Sequence, residues 1–524
     1  MTGHDQVHLH PHDMSRRRAL QAGLAAGAML TMRPGRALAL AGDLLDRTGA
    51  NRTSRLPIDG RFAIQADMHN HSHHSDGRGD PGDAYASMRD HGLDAAALTD
   101  HATLSWGAMG AVTDPACAAI DGDPVEGEDG ACRSLAGLDE ARWRHTRDLA
   151  AAHDQPGTFA AFHGFEWSSP LVGHVNVWDS QRWIDPLHTA GVDGSGLGTH
   201  FRQGLEELDG FLEQGLEEVA RLRDTAEPLA ELFDTVLRGN PLGTGMLPFY
   251  EWLAGDPSTP VVGGGADGIA SFNHPGREPG RFSRFRYHPR AAERLVAMEI
   301  LNRDEDYLFE GHHDGQPSPL VECLNAGWRV GLIGVTDEHG TDWGNPAHGK
   351  GRAGLWVADL SRRGVRDALS RRHAYATFEA GLRLDAAARP TGTTIWHRMG
   401  GILDHDRGPV EFAVDVAHTD DWVGRDVEVQ VLRPADHVPA VAHVEPARIP
   451  APDQPPITFR LDLDLDDGDW AVLRIADPHA ANRQASGTGH PGDRAAIAYA
   501  SPFWLGARHR SPLLGGALSA TGIA

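Results

Sequence analysis

The sequence is poor in lysine, in cysteine and in long apolar runs. Of its 48 basic residues, all but Lys350 are arginine, which we interpret as a compositional bias rather than as chemistry. The formal net charge is −25. Because phosphate backbones are bound by clustered Lys and Arg, this balance argues against nucleic acid as a partner. Hydrophobic residues still make up 40% of the chain, which is enough for a packed globular core.

No apolar run approaches the roughly 18 residues of a membrane-spanning helix, apart from a weaker candidate near the N-terminus. There, Ser15–Leu20 resembles a twin-arginine signal, although an Ala stands where Phe is commoner, and an Ala- and Gly-rich stretch follows. Small residues allow cleavage after Ala39 or Ala41. We therefore expect residues 1–41 to be a signal peptide read by the twin-arginine export machinery. The mature chain would be periplasmic or secreted, with no stable membrane span; an ordinary N-terminal helix is the alternative.

The three cysteines are compatible with export. Cys117 and Cys132 flank an acidic, Gly-rich loop that has little apolar content to hold it. A disulfide between them would suit an oxidising compartment, and two free thiols are the alternative. Cys323 lies in the apolar stretch Leu320–Leu324, which predicts a helix and an inert core thiol.

From about residue 61 to 378, short apolar runs typical of buried parallel strands alternate with connections that can hold helices. The runs are Phe62–Ala66, Ala95–Leu98, Thr158–Phe165, Val175–Trp178, Ile269–Phe272, Val296–Leu301 and Val330–Val335. This alternation predicts an α/β fold with a barrel related to the β/α type over residues 42–380. Two long connections, about 102–155 and 180–268, are expected to be insertions over the barrel mouth.

The C-terminal region, residues 381–524, has a different pattern. Several stretches alternate apolar and polar residues, as half-exposed antiparallel strands do: Pro409–Val416, Asp426–Leu432, Ile457–Leu465, Trp470–Ile475 and Ala495–Ala500. We expect this region to form a β-sandwich domain.

Residues with metal-ligand chemistry follow the apolar runs of the barrel region directly. They are His69, His71, Asp76, His101, Glu166, His174, His274, Asp337 and His339. The C-terminal strand ends of a β/α barrel converge on one face, so these side chains are expected to meet there. Mixed His and carboxylate ligands suit Zn, Mn or Fe. A carboxylate such as Glu166 has two oxygens and can bridge two ions.

Asp67–Gly77 followed by Leu98–His101 resembles the opening motifs of the polymerase and histidinol phosphatase (PHP) family, with Ser72 in place of a Thr. Later segments resemble further motifs of that family in the same order: Gly164–Glu166, Gly173–Asn176, Phe272–Gly276, Met298–Asn302 and Gly334–His339. The segments Arg372–Thr377 and Tyr499–Trp504 resemble the carbaryl-hydrolase-like branch of these metallohydrolases.

The resemblance implies a distorted seven-stranded barrel that holds two or three divalent ions. It assigns His69, His71, Glu166 and Asp337 to a first ion, Asp76, His101 and the bridging Glu166 to a second, and His174, His274 and His339 to a third. Asp67 and Asp100 would orient ligand histidines. Arg277 would hold a substrate anion, with a surface ion pair as the alternative.

The sequence therefore predicts a metal-dependent hydrolase. A hydroxide that bridges two ions would attack a small-molecule ester, and Glu166 would be a ligand shared by those ions. His339 or a water at the metal site would protonate the leaving group. A phosphoric ester is favoured, and a carbamate or carboxylic ester is a close alternative. An alternative of another class is a non-catalytic extracytoplasmic protein that binds metal or glycan.

Overall fold

The computed structural model describes residues 52–58, 60–102, 137–169, 172–184, 246–258, 265–277, 280–312 and 315–506. Its helices are α1 (Pro81–Asp90), α2 (Glu140–His153), α3 (Met246–Leu253), α4 (Arg281–Phe285), α5 (Pro319–Asn325) and α6 (Arg362–Ser370). The short α4 has a left-handed backbone in its interior. Shorter 3-10 helices span Ala291–Glu293, Tyr307–Phe309, Pro346–His348, Asp420–Trp422, Leu465–Asp467 and Pro491–Asp493. None of the helices in these ranges is long and apolar enough to cross a membrane.

Within the described ranges, twenty strands and few helices make this a mixed α/β protein with one large sheet and a smaller sheet. The first eight are β1 (Phe62–Asp67), β2 (Ala95–Leu98), β3 (Ala160–Ser169), β4 (Gly173–Trp178), β5 (Ile269–Phe272), β6 (Leu295–Asn302), β7 (Glu305–Asp306) and β8 (Gly331–Val335). The next six are β9 (Arg352–Val357), β10 (Ala374–Thr377), β11 (Arg383–Pro390), β12 (His397–Arg398), β13 (Ile402–Leu403) and β14 (Arg407–Ala417). The last six are β15 (Asp426–Arg433), β16 (Ala440–Arg448), β17 (Ile457–Asp464), β18 (Trp470–Ala481), β19 (Arg494–Ala500) and β20 (Phe503–Leu505).

Each of the seven apolar runs expected between residues 61 and 378 contains a strand, but not all of these strands are parallel. The pairs β1–β2, β2–β3, β5–β6 and β6–β8 are parallel, whereas β4 runs antiparallel to both β3 and β5. The reason is the length of the link: only residues 170–172 separate β3 from β4. A parallel crossover needs a dozen or more residues, so this link can only reverse the chain.

The reversal of β4 has a consequence for the position of its first residues. Because β3 and β4 pair antiparallel, with Ser168 opposite His174, the beginning of β4 lies at the same edge of the sheet as the end of β3. The ends of β1, β2, β5 and β8 are followed by further polar residues. These segments form the surroundings of the candidate site.

The large sheet continues from the barrel region into the C-terminal region. Strand β9 pairs with β1 and β10, β10 pairs with β19, and β19 pairs with β18. A second, antiparallel sheet has the order β12-β11-β14-β17. Leu384 and Val414 of that sheet share an apolar cluster with Val429 and Leu473 of the large sheet. This sheet-rich content is consistent with a β-sandwich, in which two sheets bury apolar faces against each other.

Several expectations fall wholly or partly on residues that the structure does not describe. The expected signal peptide, residues 1–41, and both Cys117 and Cys132 lie outside the described residues. Of the two expected insertions, the described parts include α2 and α3. Cys323 lies in α5 and is buried, so the predicted helix and core thiol are confirmed.

Candidate metal centre

The structure brings all nine candidate ligand residues together in four overlapping sets. Within each set the ligand atoms lie within 4.8 Å of one another. The sets are His71 with Asp76, His101 and His339; His69 with His274 and Asp337; His69 with His71 and Glu166; and His101 with Glu166 and His174. Residues that lie far apart in the sequence thus meet at one edge of the sheet.

The first group lies where β1, β3 and β8 end. The Nε2 atoms of His69 and His71 are 3.1 Å apart. Nε2 of His69 lies 3.3 Å from Oε1 of Glu166, and Nε2 of His71 lies 3.3 Å from Oδ1 of Asp337. All four side chains are buried. This is the quartet that the family resemblance assigns to a first ion.

The second group is centred on Asp76. Its Oδ1 lies 3.4 Å from Nε2 of His101 and 3.3 Å from Nε2 of His339. The resemblance assigned His339 to a third ion with His174 and His274. The structure groups it instead with Asp76, because the chain turns after Asp337 and carries the His339 ring onto that of His71, with centroids 4.0 Å apart.

The third group converges on Oε1 of Glu166, the oxygen that His69 also faces. Nδ1 of His174 and Nε2 of His274 each lie 3.2 Å from Oε1 of Glu166. His174 reaches this position because β4 runs antiparallel to β3. Asn273 Nδ2 donates a hydrogen bond of 2.8 Å to the same oxygen. Glu166 therefore occupies the middle of the cluster, where a bridging carboxylate would have to lie.

Sequence reasoning missed the role of Glu299, which lies within the buried strand β6. Its Oε1 is 2.8 Å from Nδ1 of His69, and its Oε2 accepts hydrogen bonds from the backbone N of His274 at 2.7 Å and from Asn302 Nδ2 at 2.8 Å. Glu299 thus orients one candidate ligand ring and fixes the backbone of another. The available signal in the sequence was an isolated carboxylate inside an apolar run, and the structure shows that all eight residues of this strand are buried.

Asp67 and Asp100 act on the backbone and hydroxyl groups rather than on ligand rings. Asp67 Oδ2 accepts a 2.5 Å hydrogen bond from the Thr336 hydroxyl, and Oδ1 accepts from the Thr336 backbone N at 3.1 Å. Asp100 accepts from the Ser72 backbone N at 2.7 Å and from the Ser75 hydroxyl at 2.7 Å. Asp67 Oδ1 also accepts from the backbone N of His69 at 3.4 Å, and the Ser75 hydroxyl lies 3.4 Å from Nδ1 of His71. The two carboxylates therefore act on the ligand histidines through the backbone and through a hydroxyl rather than by a direct bond to a ring.

Two arginines lie beside Asp337. Arg277 Nη1 donates to Asp337 Oδ2 at 3.0 Å, and its Nη2 lies 2.9 Å from Glu305 Oε2. Arg277 is therefore ion-paired with a buried candidate ligand as well as with the more exposed Glu305, and its role in binding a substrate anion stays a prediction. Arg303, which sequence reasoning did not single out, lies 3.1 Å from Asp337 Oδ2 and 3.4 Å from Nδ1 of His339.

Buried charges shift the pKa values of the two strand histidines in opposite directions. Burial by itself lowers the pKa of His69, but the carboxylates of Glu299 and Asp337 outweigh it and raise that pKa well above its usual value. Burial and the charge of neighbouring histidines lower the pKa of His71 to about 4. The cationic form is therefore favoured for the His69 ring and the neutral form for the His71 ring.

The same competition applies around Glu166. Burial lowers the pKa of His101, but Asp76 and Glu166 raise it to about 9. Burial would raise the carboxyl pKa values, yet the surrounding histidines hold those of Glu166 and Asp337 well below their usual range. The ionised form of these carboxyls is thus favoured, and the rings whose pKa values they raise are those of His69 and His101.

This donor set suits divalent metal ions. Imidazole and carboxylate ligands together match Zn, Mn or Fe rather than Mg or Ca, which prefer oxygen ligands alone. Two Nε2 atoms only 3.1 Å apart, from His69 and His71, cannot both carry protons, but both can face one cation. A divalent ion would take the place of the protons that the carboxylates now hold on the rings.

Comparisons with known proteins give only distant likenesses. No protein-family model matches the sequence, and no curated protein matches it. A solved structure of a two-domain protein from Bacteroides vulgatus, containing a predicted PHP-like metal-dependent phosphoesterase, is similar with 13% identity and a TM-score of 0.33 over 86% of this chain and 100% of that one. A protein of Bifidobacterium adolescentis whose name describes it as a metal-dependent phosphoesterase has 15% identity and a TM-score of 0.26 over 58% of this chain and 95% of that one. Likenesses this weak do not establish a family, so the function is argued from the site.

Proposed function

We propose that this protein is a metal-dependent hydrolase of small-molecule esters, related to the PHP metallohydrolases. The observation that carries the proposal is the convergence of nine His, Asp and Glu residues in four overlapping sets around Glu166. For any single histidine, a hydrogen-bonded structural role would be an adequate explanation. Nine potential ligands in one buried cluster, contributed by six separate segments of the chain, are much better explained by the binding of more than one ion.

The proposed fold is a distorted (β/α)7 barrel followed by a β-sandwich. In the part of the chain that the structure describes, β8 forms a ladder with β6 and none with β1. Just beyond these strands, however, Asn70 and Glu338 form a parallel bridge, with hydrogen bonds from Asp337 N to His69 O at 3.0 Å and from His71 N to Glu338 O at 2.9 Å. These contacts support a ring that closes at the end where the ligands lie.

The chain itself supplies the position, the protonation state and the shielding of the ligands. Glu299 accepts from Nδ1 of His69, which leaves Nε2 to face the other ligand atoms. Arg277 holds Oδ2 of Asp337, so that Oδ1 faces His71. Bound divalent ions would supply an activated water and would stabilise the negative charge that develops on the attacked centre.

We favour a phosphoric ester as substrate, because phosphoesterase chemistry is what the family resemblance implies. A carbamate or carboxylic ester remains the rival within the same fold, since the same chemistry applies to both centres. A net charge of −25 would repel large polyanions at long range, which favours a small substrate over nucleic acid.

The proposed enzyme works outside the cytoplasm. Ser15–Leu20 resembles the twin-arginine signal, and that export route moves folded proteins. An enzyme that depends on metal could therefore acquire its ions before export. Fusing residues 1–41 to a reporter that folds in the cytoplasm would test this, because export should disappear when Arg16 and Arg17 are both changed to Lys.

The hydrolase proposal is tested with metal-reconstituted protein and a panel of aryl phosphates, aryl carbamates and aryl carboxylic esters. Wild type should cleave one class, and Glu166→Ala should not, because the central carboxylate is lost. Glu293→Ala is the matched control, since Glu293 is exposed and precedes β6 at the end opposite the cluster. Tight metal binding without turnover of any ester would favour a non-catalytic metal-binding protein. Equal activity in Glu166→Ala and wild type would refute the proposal.

A further inference from the structure

The only lysine of the chain pairs with Glu338, which lies between two candidate ligand residues in the sequence. All other Lys or Arg positions are arginine, so lysine occurs at one of the 524 positions. Nζ of Lys350 forms an ion pair with Oε2 of Glu338, and the side chains are 25% and 8% exposed. Glu338 is the middle residue of the segment whose neighbours, Asp337 and His339, belong to the ligand cluster.

The backbone holds Lys350 in this place through its two flanking glycines. Gly349 has a φ of 58°, a left-handed conformation that favours glycine. A Cβ on Gly351 would lie only 2.7 Å from the carbonyl oxygen of Val335, the last residue of β8. Gly351 N also donates to the carbonyl oxygen of Arg303 at 2.8 Å. The Gly-Lys-Gly turn is therefore packed against the end of β8, next to the candidate ligands.

An ion pair with Glu338 alone does not explain a lysine at this position. A chain that uses arginine elsewhere could use it here too, and arginine pairs with carboxylates at least as well as lysine does. The chemical difference is that an ammonium group can release a proton, whereas a guanidinium in a protein does not. Ester hydrolysis requires such a proton wherever the leaving alkoxide is strongly basic.

His339, the side chain that the sequence suggested as proton donor, is poorly suited to that role. Its Nε2 lies 3.3 Å from Asp76 Oδ1 within a candidate ligand set, and its Nδ1 lies 3.0 Å from the carbonyl oxygen of Asp337. If Nε2 binds an ion, the remaining proton on Nδ1 is donated to that carbonyl. Arg277 and Arg303 are adjacent but retain their protons.

We propose that Lys350 is the proton donor to the leaving group of the ester; the assignment rests on the function proposed above. In this step the oxygen of water bonds to the phosphoryl or acyl centre and one proton of that water passes to solvent. The bond from the centre to the leaving oxygen breaks, and the Nζ proton passes to the leaving oxygen. The products are an acid and a neutral alcohol. Lys350 then regains a proton from solvent, and Glu338 holds the ammonium group in place.

The first test compares Lys350→Arg and Lys350→Met on two esters of the same acid. One ester has a nitrophenol leaving group, which departs without protonation. The other has an alkyl alcohol as leaving group, which must be protonated as it departs. Both variants should lose about 10²- to 10⁴-fold in kcat on the alkyl ester. They should keep most of their activity on the nitrophenyl ester and should bind as much metal as wild type. Full activity of Lys350→Arg on the alkyl ester, or equal losses on both esters, would show that Lys350 has only a structural role.

The second test does not depend on turnover. Because Lys350 is the only side-chain amine, trinitrobenzenesulfonate labels only this residue and the N-terminal amine once the cysteine thiols are blocked, and the N-terminal amine is the internal control. With metal-loaded protein, inorganic phosphate should slow the labelling of Lys350 and leave the control unchanged. Unchanged labelling of Lys350 would overturn the assignment. If wild type cleaves no ester while phosphate still protects Lys350, the proposed hydrolase function fails but the position of Lys350 at the anion site stands.

Discussion

Replacing Glu299 by Gln should weaken metal binding although Glu299 would not itself contact an ion. Its Oε1 lies 2.8 Å from Nδ1 of His69, and its Oε2 accepts from the His274 backbone N and from Asn302 Nδ2. A carboxylate can accept at both oxygens, but an amide offers one acceptor and one donor. Gln at this position therefore cannot satisfy all three donors.

Either orientation of the new amide has a cost. If its oxygen faces His69, its NH2 group faces two other donors, from His274 and Asn302. If its NH2 group faces His69, Nδ1 of that ring must accept, and the ring proton moves to Nε2, where the metal-binding lone pair is needed. Loss of such a partner typically costs 10- to 100-fold in metal affinity, or about 1.4–2.8 kcal/mol.

The assay is a chelator competition titration of Zn or Mn against wild type and Glu299→Gln. Glu293→Gln is a matched control, because Glu293 is exposed and precedes β6, the strand of Glu299, at the end opposite the cluster. The control should stay close to wild type. Unchanged metal affinity in Glu299→Gln, in protein that remains folded, would refute the role of Glu299 in orienting His69.

The described contacts also predict effects on metal affinity, on thermal stability and on the free energy of unfolding. Metal affinity should rise by about tenfold per pH unit for each proton displaced, and the contribution of His101 should level off above its pKa of about 9, because the ion replaces a proton that is bound below that pH. Calorimetry in buffers of different ionisation enthalpy would show this proton release, and a pH-independent affinity would contradict it. Chelation should lower the thermal unfolding midpoint, since an ion at 100 times its Kd adds about 2.7 kcal/mol to the stability of the folded state; a midpoint that calorimetry finds unchanged would count against a resident ion. Tyr499→Phe should lower the free energy of unfolding by about 1–3 kcal/mol without changing metal content. The reason is that the buried hydroxyl lies 2.9 Å from both carboxylate oxygens of Asp306 and 2.7 Å from Nε of Arg474. A urea titration that coincides with that of wild type would refute this contribution.

The sequence was most informative about the strands of the barrel region, and the reason is physical. Strands buried on both faces form short continuous apolar runs, so Ala95–Leu98 and Ile269–Phe272 were predicted to the residue. Direction was not predictable from the run of Val175–Trp178 itself, because parallel and antiparallel strands share this pattern. The short link before β4 was the signal that would have settled it.

In the C-terminal region, β16 went unpredicted. Pro446 within Ala440–Arg448 argues against a central strand, because proline cannot donate to a ladder. Strand β16 pairs only with β15 in the described part of the chain, and an edge strand is the place where proline is tolerated.

Within the candidate site, the sequence identified residue types and strand ends but not their pairing in space. The nine residues were predicted together because each follows or begins an apolar run. The grouping of His339 with Asp76 was not, because it depends on how the chain turns after Asp337. The role of Glu299 was also missed, since periodicity does not show which ring a buried carboxylate faces.

The most direct test of the central claim is to measure the metal content of the purified mature chain by elemental mass spectrometry. The Glu166→Ala variant is measured in the same way. The account predicts two or three divalent ions of Zn, Mn or Fe per wild-type chain and a loss of at least one ion in the variant, because Glu166 lies in two of the four ligand sets. A wild-type chain that holds less than one ion under metal-replete conditions, with no difference from Glu166→Ala, would contradict it.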